Sequence, residues 1–294
     1  MQIPLCSVIV VSYNSGPALH ECVRSVLASS VPVQVLVSDN GSADGSLEAL
    51  AAAVGDDSRV TLVENGENLG FAAACNRVLP RAEAPWLLFL NPDCVLQPDT
   101  LARMLSVLDG MEDVGMAGCL LRNDDGTEQA GCRRREPTPG RSLLRVLHLG
   151  GLSRRLLMPG DFNMHREPLA SAPVDVDAIS GAFMLVRRAA LEAVGPLDEG
   201  YFLHCEDLDW CRRFRDAGYR VLFVPGVEVL HHKGLSSGAR PVRVEWHKHR
   251  GMMRYYRKFF SGRYPRPLLW LVAGMIWCRF GVLALYHTAR RALP

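Results

Sequence analysis

The sequence predicts an α/β protein built on a mostly parallel, twisted sheet with flanking helices. Three observations carry this. Short β-branched runs such as Ser7-Val-Ile-Val-Val11 are almost wholly apolar, as strands buried on both faces are. Each run is followed by one stretch of helical periodicity, the pattern of parallel strands joined by right-handed crossovers. The chain has 294 residues, 48% hydrophobic and 22% charged, enough for one large core or one domain with an appendage.

Leu5–Tyr13 is the first strand. No basic stretch precedes it, so it does not read as a signal peptide. Helical periodicity runs from Pro17 to Ala28, with Pro17 suited to a first turn. A second strand, Val33–Val37, leads into the polar loop Asp39–Ser46, where Ser46 can cap a helix over Leu47–Val54. A third strand, Val60–Val63, precedes Asn65-Gly-Glu-Asn-Leu-Gly70 and a helix over Phe71–Leu79. The fourth, Trp86–Leu90, stops at Asn91-Pro92-Asp93. From Asn123 to Pro173 the chain is irregular and rich in Arg, Gly and Pro, which predicts a mobile loop or lid region. Regularity returns with strand-like Val174–Val186, helices near Ala189–Val194 and Leu208–Ala217, and strand-like Tyr219–Val224 and Val227–Leu230. The expected division is a domain over 1–239, with halves of about 1–122 and 174–239 around the 123–173 loop, followed by a helical segment over 240–294.

That last segment has its own character. From Arg240 to Arg266 there are nine Lys or Arg and one acid, Glu245. On a helix, Met252, Met253, Tyr255, Tyr256, Phe259 and Phe260 fall on one face, opposite Arg250, Arg254, Arg257 and Lys258. Such a face packs on a core or docks on an anionic membrane. Leu268–Tyr286 is apolar except for Arg279 and, as a helix, spans roughly 28 Å. An internal arginine favours a helix lying on the membrane over one crossing it.

The formal net charge of +2 singles out no partner. The nine cysteines are scattered, odd in number and contain no Cys-x-x-Cys pair, so they suggest neither a disulfide framework nor a zinc site and fit the cytosol.

Several polar residues sit where chemistry occurs in such sheets, beyond the carboxyl ends of strands. Asp39, after the second strand, can accept from a base imide or a ribose hydroxyl, or be a turn residue. Asn68-Leu-Gly-Phe71 lets the backbone approach a ligand at Gly70, and Asn76 lies on the following helix. Asp93 offers a hard oxygen for Mg²⁺ or Mn²⁺ on phosphates, although Asn-Pro-Asp is also an ordinary turn. Glu206 and Asp207 open a helix, where acids complement the dipole or act as a general base. His231 or His232 can complete a metal site begun by Asp93.

Taken in order, Ser7-Val-Ile-Val-Val-Ser-Tyr-Asn14, Asp39-Asn-Gly-Ser-Ala-Asp44, Asn68-Leu-Gly-Phe71, Asn91-Pro-Asp93, Ser180-Gly-Ala182, Glu206-Asp-Leu-Asp209 and His231-His232 resemble the family 2 glycosyltransferases of GT-A (Rossmann-like) fold, in particular a rhamnosyltransferase-like branch. The resemblance spans about Leu5 to Ser237. It implies an inverting, metal-dependent transferase using Mg²⁺ or Mn²⁺. Asp39 resembles the acid that recognises the nucleotide base, with Ser12, Asn14 and Asp44 around it, and Asn68, Gly70, Phe71, Asn76 and Asn91 further line the nucleotide-sugar site. Asp93 matches the last acid of an Asp-x-Asp motif whose first acid is here Asn91. His231 or His232 matches the metal-ligand histidine, and Asp207 the catalytic base, with Glu206 as second candidate. Gly181, Ala182 and Trp210 would lie beside the acceptor.

The implied partners are a nucleotide-diphosphate sugar, with dTDP-rhamnose before a UDP-hexose, and a glycan or polyprenyl-linked acceptor. The implied setting is the cytoplasmic face of an anionic cell membrane, in cell-envelope polysaccharide synthesis. A homo-oligomer is compatible with the sequence. A nicotinamide-dependent oxidoreductase would carry Gly-x-Gly-x-x-Gly where this chain has Ser12-Tyr-Asn-Ser-Gly-Pro17. A non-catalytic nucleotide-sugar or nucleic-acid binding module would not need Asp93, Asp207 and His231 together, and no nucleic-acid partner is expected.

Overall fold

The β-branched runs form the strands expected of them. The computed structural model of the protein describes residues 3–141, 162–232 and 241–292. Its strands are β1 Cys6–Ser12, β2 Val33–Asp39, β3 Val60–Glu64, β4 Trp86–Leu90, β5 Cys94–Val95, β6 Val114–Arg122, β7 Arg133–Arg134, β8 Val174–Asp175, β9 Ala178–Ile179, β10 Phe183–Arg187 and β11 Arg220–His231. Its helices are α1 Pro17–Leu27, α2 Ser46–Val54, α3 Phe71–Val78, α4 Thr100–Leu108, α5 Arg188–Val194, α6 Glu206–Asp216, α7 Pro241–Phe260 and α8 Arg266–Ala292.

One sheet runs β3-β2-β1-β4-β10-β6-β11-β5, with β8 also on β11, and β7 pairs β9 in a separate ribbon. β1, β2, β3, β4, β6 and β11 point the same way, while β10, β5 and β8 run against them. Every residue of β1 is buried, which is why its sequence does not alternate. The chain steps outward from β1 to β3, then returns to β4 on the other side of β1. That reversal opens a crevice at the carboxyl ends of the strands, the usual place for a ligand. Ser12, Asp39, Asn91 and His231 all stand at this edge.

Four expectations change. Val174–Val186 is three short strands, because Ser180-Gly-Ala182 turns the chain between β9 and β10. Tyr219–Val224 and Val227–Leu230 join into the single strand β11, whose pairing slips between Val224 and Glu228 around Pro225-Gly226. Ser46 does not cap α2; it is the first helical residue, and its N–H and hydroxyl both donate to Asp44. The loop or lid region expected over 123–173 is partly built: residues 123–135 form a hydrogen-bonded loop and β7, while its 142–161 part lies outside the described residues.

The aromatic face of α7 is not free for a membrane. Tyr255, Tyr256 and Phe260 are buried against the domain. Tyr255 donates to Glu136, Tyr256 to the Pro137 carbonyl, and Arg254 and Lys258 pair with Asp198. Core packing therefore wins for α7, leaving α8 as the apolar surface. Val272 and Ile276 are buried on one side of α8, while Trp270, Leu271, Val282, Leu285 and Tyr286 are exposed on the other. The two helices are pinned together by the Trp246–Trp277 contact and by Arg279, which donates to His249 at 3.5 Å.

Candidate active site

The nucleotide end of the crevice is made by two loops that hold each other. Asp39 is buried at the end of β2 and accepts from the Ser42 N–H and hydroxyl at 2.8 and 2.6 Å. Asn14, in the left-handed region at φ 49°, receives the Ala43 N–H and gives its own N–H to Ser42. Asp44 accepts from the Gly16 N–H at 2.8 Å; despite partial burial, the bonds from Ser46 and Gly16 hold its carboxyl below the usual range. Ser12 is buried beside Ser15, 3.4 Å away. Ser12, Asn14, Asp39 and Asp44 thus stand together, with Asn14 and Asp44 engaged in shaping the loops.

Asn68 caps the next turn, accepting from the Gly70 N–H at 3.0 Å, and buried Asn40 ties that turn to β2 through the Gly70 carbonyl. Gly70 has φ 85° and no room for a side chain, since a Cβ there would lie 2.5 Å from the Phe202 carbonyl. The Phe71 N–H donates to that same carbonyl at 2.8 Å, which joins this end of the crevice to the approach to α6. Asn76 is engaged by the segment before α6: its amide nitrogen donates to the Leu197 carbonyl and to Glu199, while its buried Oδ1 has no partner.

Beyond β4, Asp93 and His231 meet, with Oδ1 and Nε2 3.0 Å apart and both residues buried. The Asp93 Oδ1 has no hydrogen-bond partner. The buried carboxylate oxygen suits a hard divalent cation such as Mg²⁺ or Mn²⁺, and the imidazole nitrogen beside it suits Mn²⁺ better than Mg²⁺. Cys94 is close enough to be counted with them, but burial keeps its thiol protonated and it donates to the Ala182 carbonyl. His232 faces away and pairs with Asp124. Of the two histidines offered by the sequence, only His231 brings its ring to the Asp93 carboxylate; His232 meets Asp93 through its backbone N–H, which donates to the Asp93 carbonyl at 2.9 Å. Asn91 is 3.4 Å from the His231 ring through its amide nitrogen.

Asp207 lies across the crevice in the first turn of α6. His204 and Cys205, both in the left-handed region at φ 67° and 71°, turn the chain so that α6 begins with its acids inward. Strained non-glycine backbone of this kind concentrates at functional sites. The Asp207 Oδ2 accepts from the Gly181 N–H at 3.0 Å and from Arg134 at 2.5 Å, while Oδ1 accepts from the Leu208 N–H at 2.7 Å. Ala182, next to Gly181, accepts from the Asn91 N–H at 3.0 Å. The short Ser180–Ala182 loop therefore bridges the two halves of the site, touching Asn91 at one end and Asp207 at the other.

Glu206 is also buried, and its Oε2 has no partner. Burial first, then the neighbouring Asp207 charge, pushes its carboxyl up to about 8, so at neutral pH it is mostly protonated. A carboxyl with a higher pKa folded than unfolded contributes stability below about 4.5, and that contribution is lost as pH rises toward 8. We expect Glu206→Gln to flatten the fall in melting temperature between pH 5 and pH 8; an unchanged slope in a thermal melt series would place the titrating group elsewhere.

Trp210 is not beside any acceptor. It is fully buried, edge-on to Phe89 at 4.8 Å and to Phe214 at 5.5 Å, with its indole N–H on the Gly195 carbonyl. A large aromatic on the inner face of α6 is core, which corrects its assignment to the acceptor site. Asp209 is likewise structural, buried under Tyr201, Arg213 and Lys258. Two residues escaped the sequence reading. Arg134 reaches Asp207 from β7, and Gln129 meets His231 at 2.6 Å. The only signal for the first was the Arg133-Arg-Arg135 run in a stretch otherwise read as loop.

Comparison with known proteins gives the family and the fold. An N-acetylglucosaminyl-diphospho-decaprenol L-rhamnosyltransferase of Mycobacterium tuberculosis is 32% identical over 97% of this chain and 96% of its own length. Rhamnosyltransferase WbbL of Escherichia coli is 28% identical over 57% of this chain and 60% of its own. Among solved structures, the mannosyltransferase PcManGT of Pyrobaculum calidifontis, in complex with GDP-Man and Mn²⁺, shares the fold at a TM-score of 0.60 and 22% identity, covering 99% of this chain and 76% of that one. GalNAc-T7 with UDP, GalNAc and Mn²⁺ aligns at 0.63 and 17%, covering 88% and 49%. The glycosyl transferase family 2 profile matches residues 7–195, and the chain belongs to that family.

Proposed function

We propose that the protein is an inverting, metal-dependent glycosyltransferase that moves L-rhamnose from dTDP-rhamnose to a hydroxyl of a polyprenyl-diphosphate-linked glycan, on the cytoplasmic face of the membrane. One observation carries the reaction type. The Ser180–Ala182 loop spans from Asn91, beside the Asp93–His231 pair, to the Asp207 carboxylate. The transferred L-rhamnose and the lipid-diphosphate-linked acceptor rest on the Mycobacterium tuberculosis relative, whose name states both, and the dTDP carrier rests on the resemblance to the rhamnosyltransferase-like branch.

Asp93 and His231 would hold a Mg²⁺ or Mn²⁺ ion. When bound, it supplies Lewis-acid neutralisation of the charge growing on the departing diphosphate. Asp39 meets the nucleoside at the far end of the crevice. The acceptor hydroxyl lies over Gly181, and Asp207 takes its proton. Oδ1 of Asp207 holds one protein donor, which leaves a lone pair for that hydroxyl. The acceptor oxygen then bonds to the anomeric carbon as the bond to the diphosphate oxygen breaks. One displacement from the opposite face inverts the anomeric centre. Protonated Glu206 stays a neutral neighbour of Asp207.

The membrane setting is supported by α8. Within Arg266–Arg290 the most apolar 18-residue window has a mean hydropathy of 2.0, and 11% of that window is buried. Its one internal charge, Arg279, turns toward α7. Because α8 is pinned along α7, and α7 is part of the domain, the reading is a helix lying on the membrane with Trp270, Leu271, Val282, Leu285 and Tyr286 in the lipid interface.

Two measurements test the proposal. Rhamnose transfer from dTDP-rhamnose to a lipid-diphosphate N-acetylglucosamine acceptor, with Mn²⁺, is expected, and NMR of the product should show the opposite anomer to the donor. A retained anomer, or a stronger response to UDP-hexoses, would overturn that part. Removing residues 263–294 should abolish sedimentation with anionic liposomes while leaving donor binding intact; unchanged sedimentation would overturn the role of α8.

A further inference from the structure

We infer that Gln129 is a positioning residue for the cation site: through a chain of hydrogen bonds anchored on Asp125, it fixes the proton of the His231 ring on Nδ1 and presents Nε2 unprotonated beside Asp93. The inference rests on the reading of Asp93 and His231 as cation ligands.

The chain has only one consistent direction. A carboxylate accepts, so the Thr127 hydroxyl, 2.6 Å from the Asp125 Oδ1, donates to it. With its proton committed, the Thr127 oxygen accepts from the Asn123 amide nitrogen at 2.9 Å. That orients Asn123 with its carbonyl oxygen toward Gln129, whose amide nitrogen donates to it at 3.0 Å. The same nitrogen is 3.4 Å from the His231 carbonyl, a second acceptor. Gln129 therefore turns its oxygen to the His231 Nδ1, 2.6 Å away. An amide oxygen only accepts, so Nδ1 is the ring atom that carries hydrogen. In the neutral ring, Nε2 then carries a lone pair, 3.0 Å from the Asp93 Oδ1 and 3.4 Å from the Asn91 amide nitrogen, which is its one protein donor among the described residues and a long one. Two acceptors at that separation repel unless a cation lies between them.

Everything in the chain is local to one loop except its target. Residues 123–129 follow β6 directly, and the loop closes on itself through the Asn123 N–H to the Thr127 carbonyl and the Gly126 N–H to the Asn123 carbonyl. Gln129 is 3% exposed, so water does not compete for its amide. Hydrogen-bond partners that fix a ligating histidine's tautomer commonly matter by 10- to 100-fold in metal affinity.

The test uses Gln129→Leu, Gln129→Glu and the full-length protein. Mn²⁺ binding is read by electron paramagnetic resonance with dTDP present, and the His231 tautomer by ¹⁵N NMR on the metal-free protein at pH 8. We expect Nδ1–H in the wild type, and a shift to Nε2–H with a 10- to 100-fold loss of Mn²⁺ affinity in Gln129→Leu. Gln129→Glu keeps an acceptor at Nδ1 and should retain both the tautomer and affinity within a few fold. Should Gln129→Leu fail to fold, Thr127→Val, on the exposed part of the loop, cuts the same chain and should weaken Mn²⁺ binding in the same direction. Nε2–H in the wild type, or unchanged affinity in the variant that lacks the acceptor, would overturn the inference. A wild type that binds no Mn²⁺ would instead sink the cation reading of Asp93 and His231, and the tautomer would still decide the role of Gln129.

Discussion

Asp207→Asn should lower the transfer rate by on the order of a thousandfold or more while leaving dTDP affinity within a few fold. The first expectation follows from the role: an amide cannot take the acceptor proton, and a positioned general base is worth about 10²- to 10⁴-fold. The second follows from the layout, since Asp39 and the loops around it lie on β1 and β2 and Asp207 on α6. The variant also carries a structural penalty. Arg134 is almost fully buried and has Asp207 as its ion-pair partner, and removing one member of a buried pair typically costs about 3–5 kcal/mol. A lower melting temperature with intact dTDP binding is therefore expected and does not blur the kinetic result. Near-normal turnover in Asp207→Asn would move the base to Glu206, whose carboxyl is still held up by burial but loses the raising effect of the Asp207 charge in that variant and ionises more readily. Rate measurements at pH 7 and pH 9 on both single variants separate the two.

The parallel half of the fold was legible because burial on both faces leaves a plain signature. Val8, Ile9 and Val10 are fully buried in β1, Leu87 to Leu90 in β4, and no solvent-facing positions interrupt either run. Strand ends then pointed to Asp39, Asp93 and His231, and the sheet does place them along one edge. What could not be read were contacts between distant loops. Arg134 and Asp207 are 73 residues apart, and Gln129 and His231 are 102 apart. Neither Arg nor Gln in a polar, irregular stretch carries a pattern that says where it points. Trp210 misled for a different reason. The resemblance placed it beside the acceptor together with Gly181 and Ala182, but the turn at His204–Cys205 drives the whole first turn of α6 into the protein and Trp210 into the core. The aromatic face of α7 had two chemically equivalent fates, lipid or core. Only the partners across from it, Glu136, Pro137 and Asp198, decide between them.

Those same contacts make Gly251→Ala the second large expected effect. Gly251 sits mid-helix in α7, where glycine is about 1 kcal/mol less favourable than alanine, so helix propensity alone predicts stabilisation. Packing reverses the sign. A Cβ at this position would lie 2.7 Å from the His204 carbonyl oxygen and 3.3 Å from the Cys205 Cβ. The first of these is backbone and cannot swing aside. Either α7 backs away from the domain, straining the Tyr255, Tyr256 and Lys258 contacts, or the His204–Cys205 turn shifts and carries Asp207 with it. Overpacking of this kind costs about 1–3 kcal/mol. A displacement of the base approaching 1 Å can cost on the order of 100-fold in rate. We therefore expect Gly251→Ala to melt lower than wild type and to lose roughly 10- to 100-fold in kcat, with dTDP affinity unchanged because β1 and β2 lie outside the strain. A variant that melts higher and turns over normally would show that α7 can slide freely over the turn, and would remove the close approach at Gly251 as the device that holds Asp207 in place.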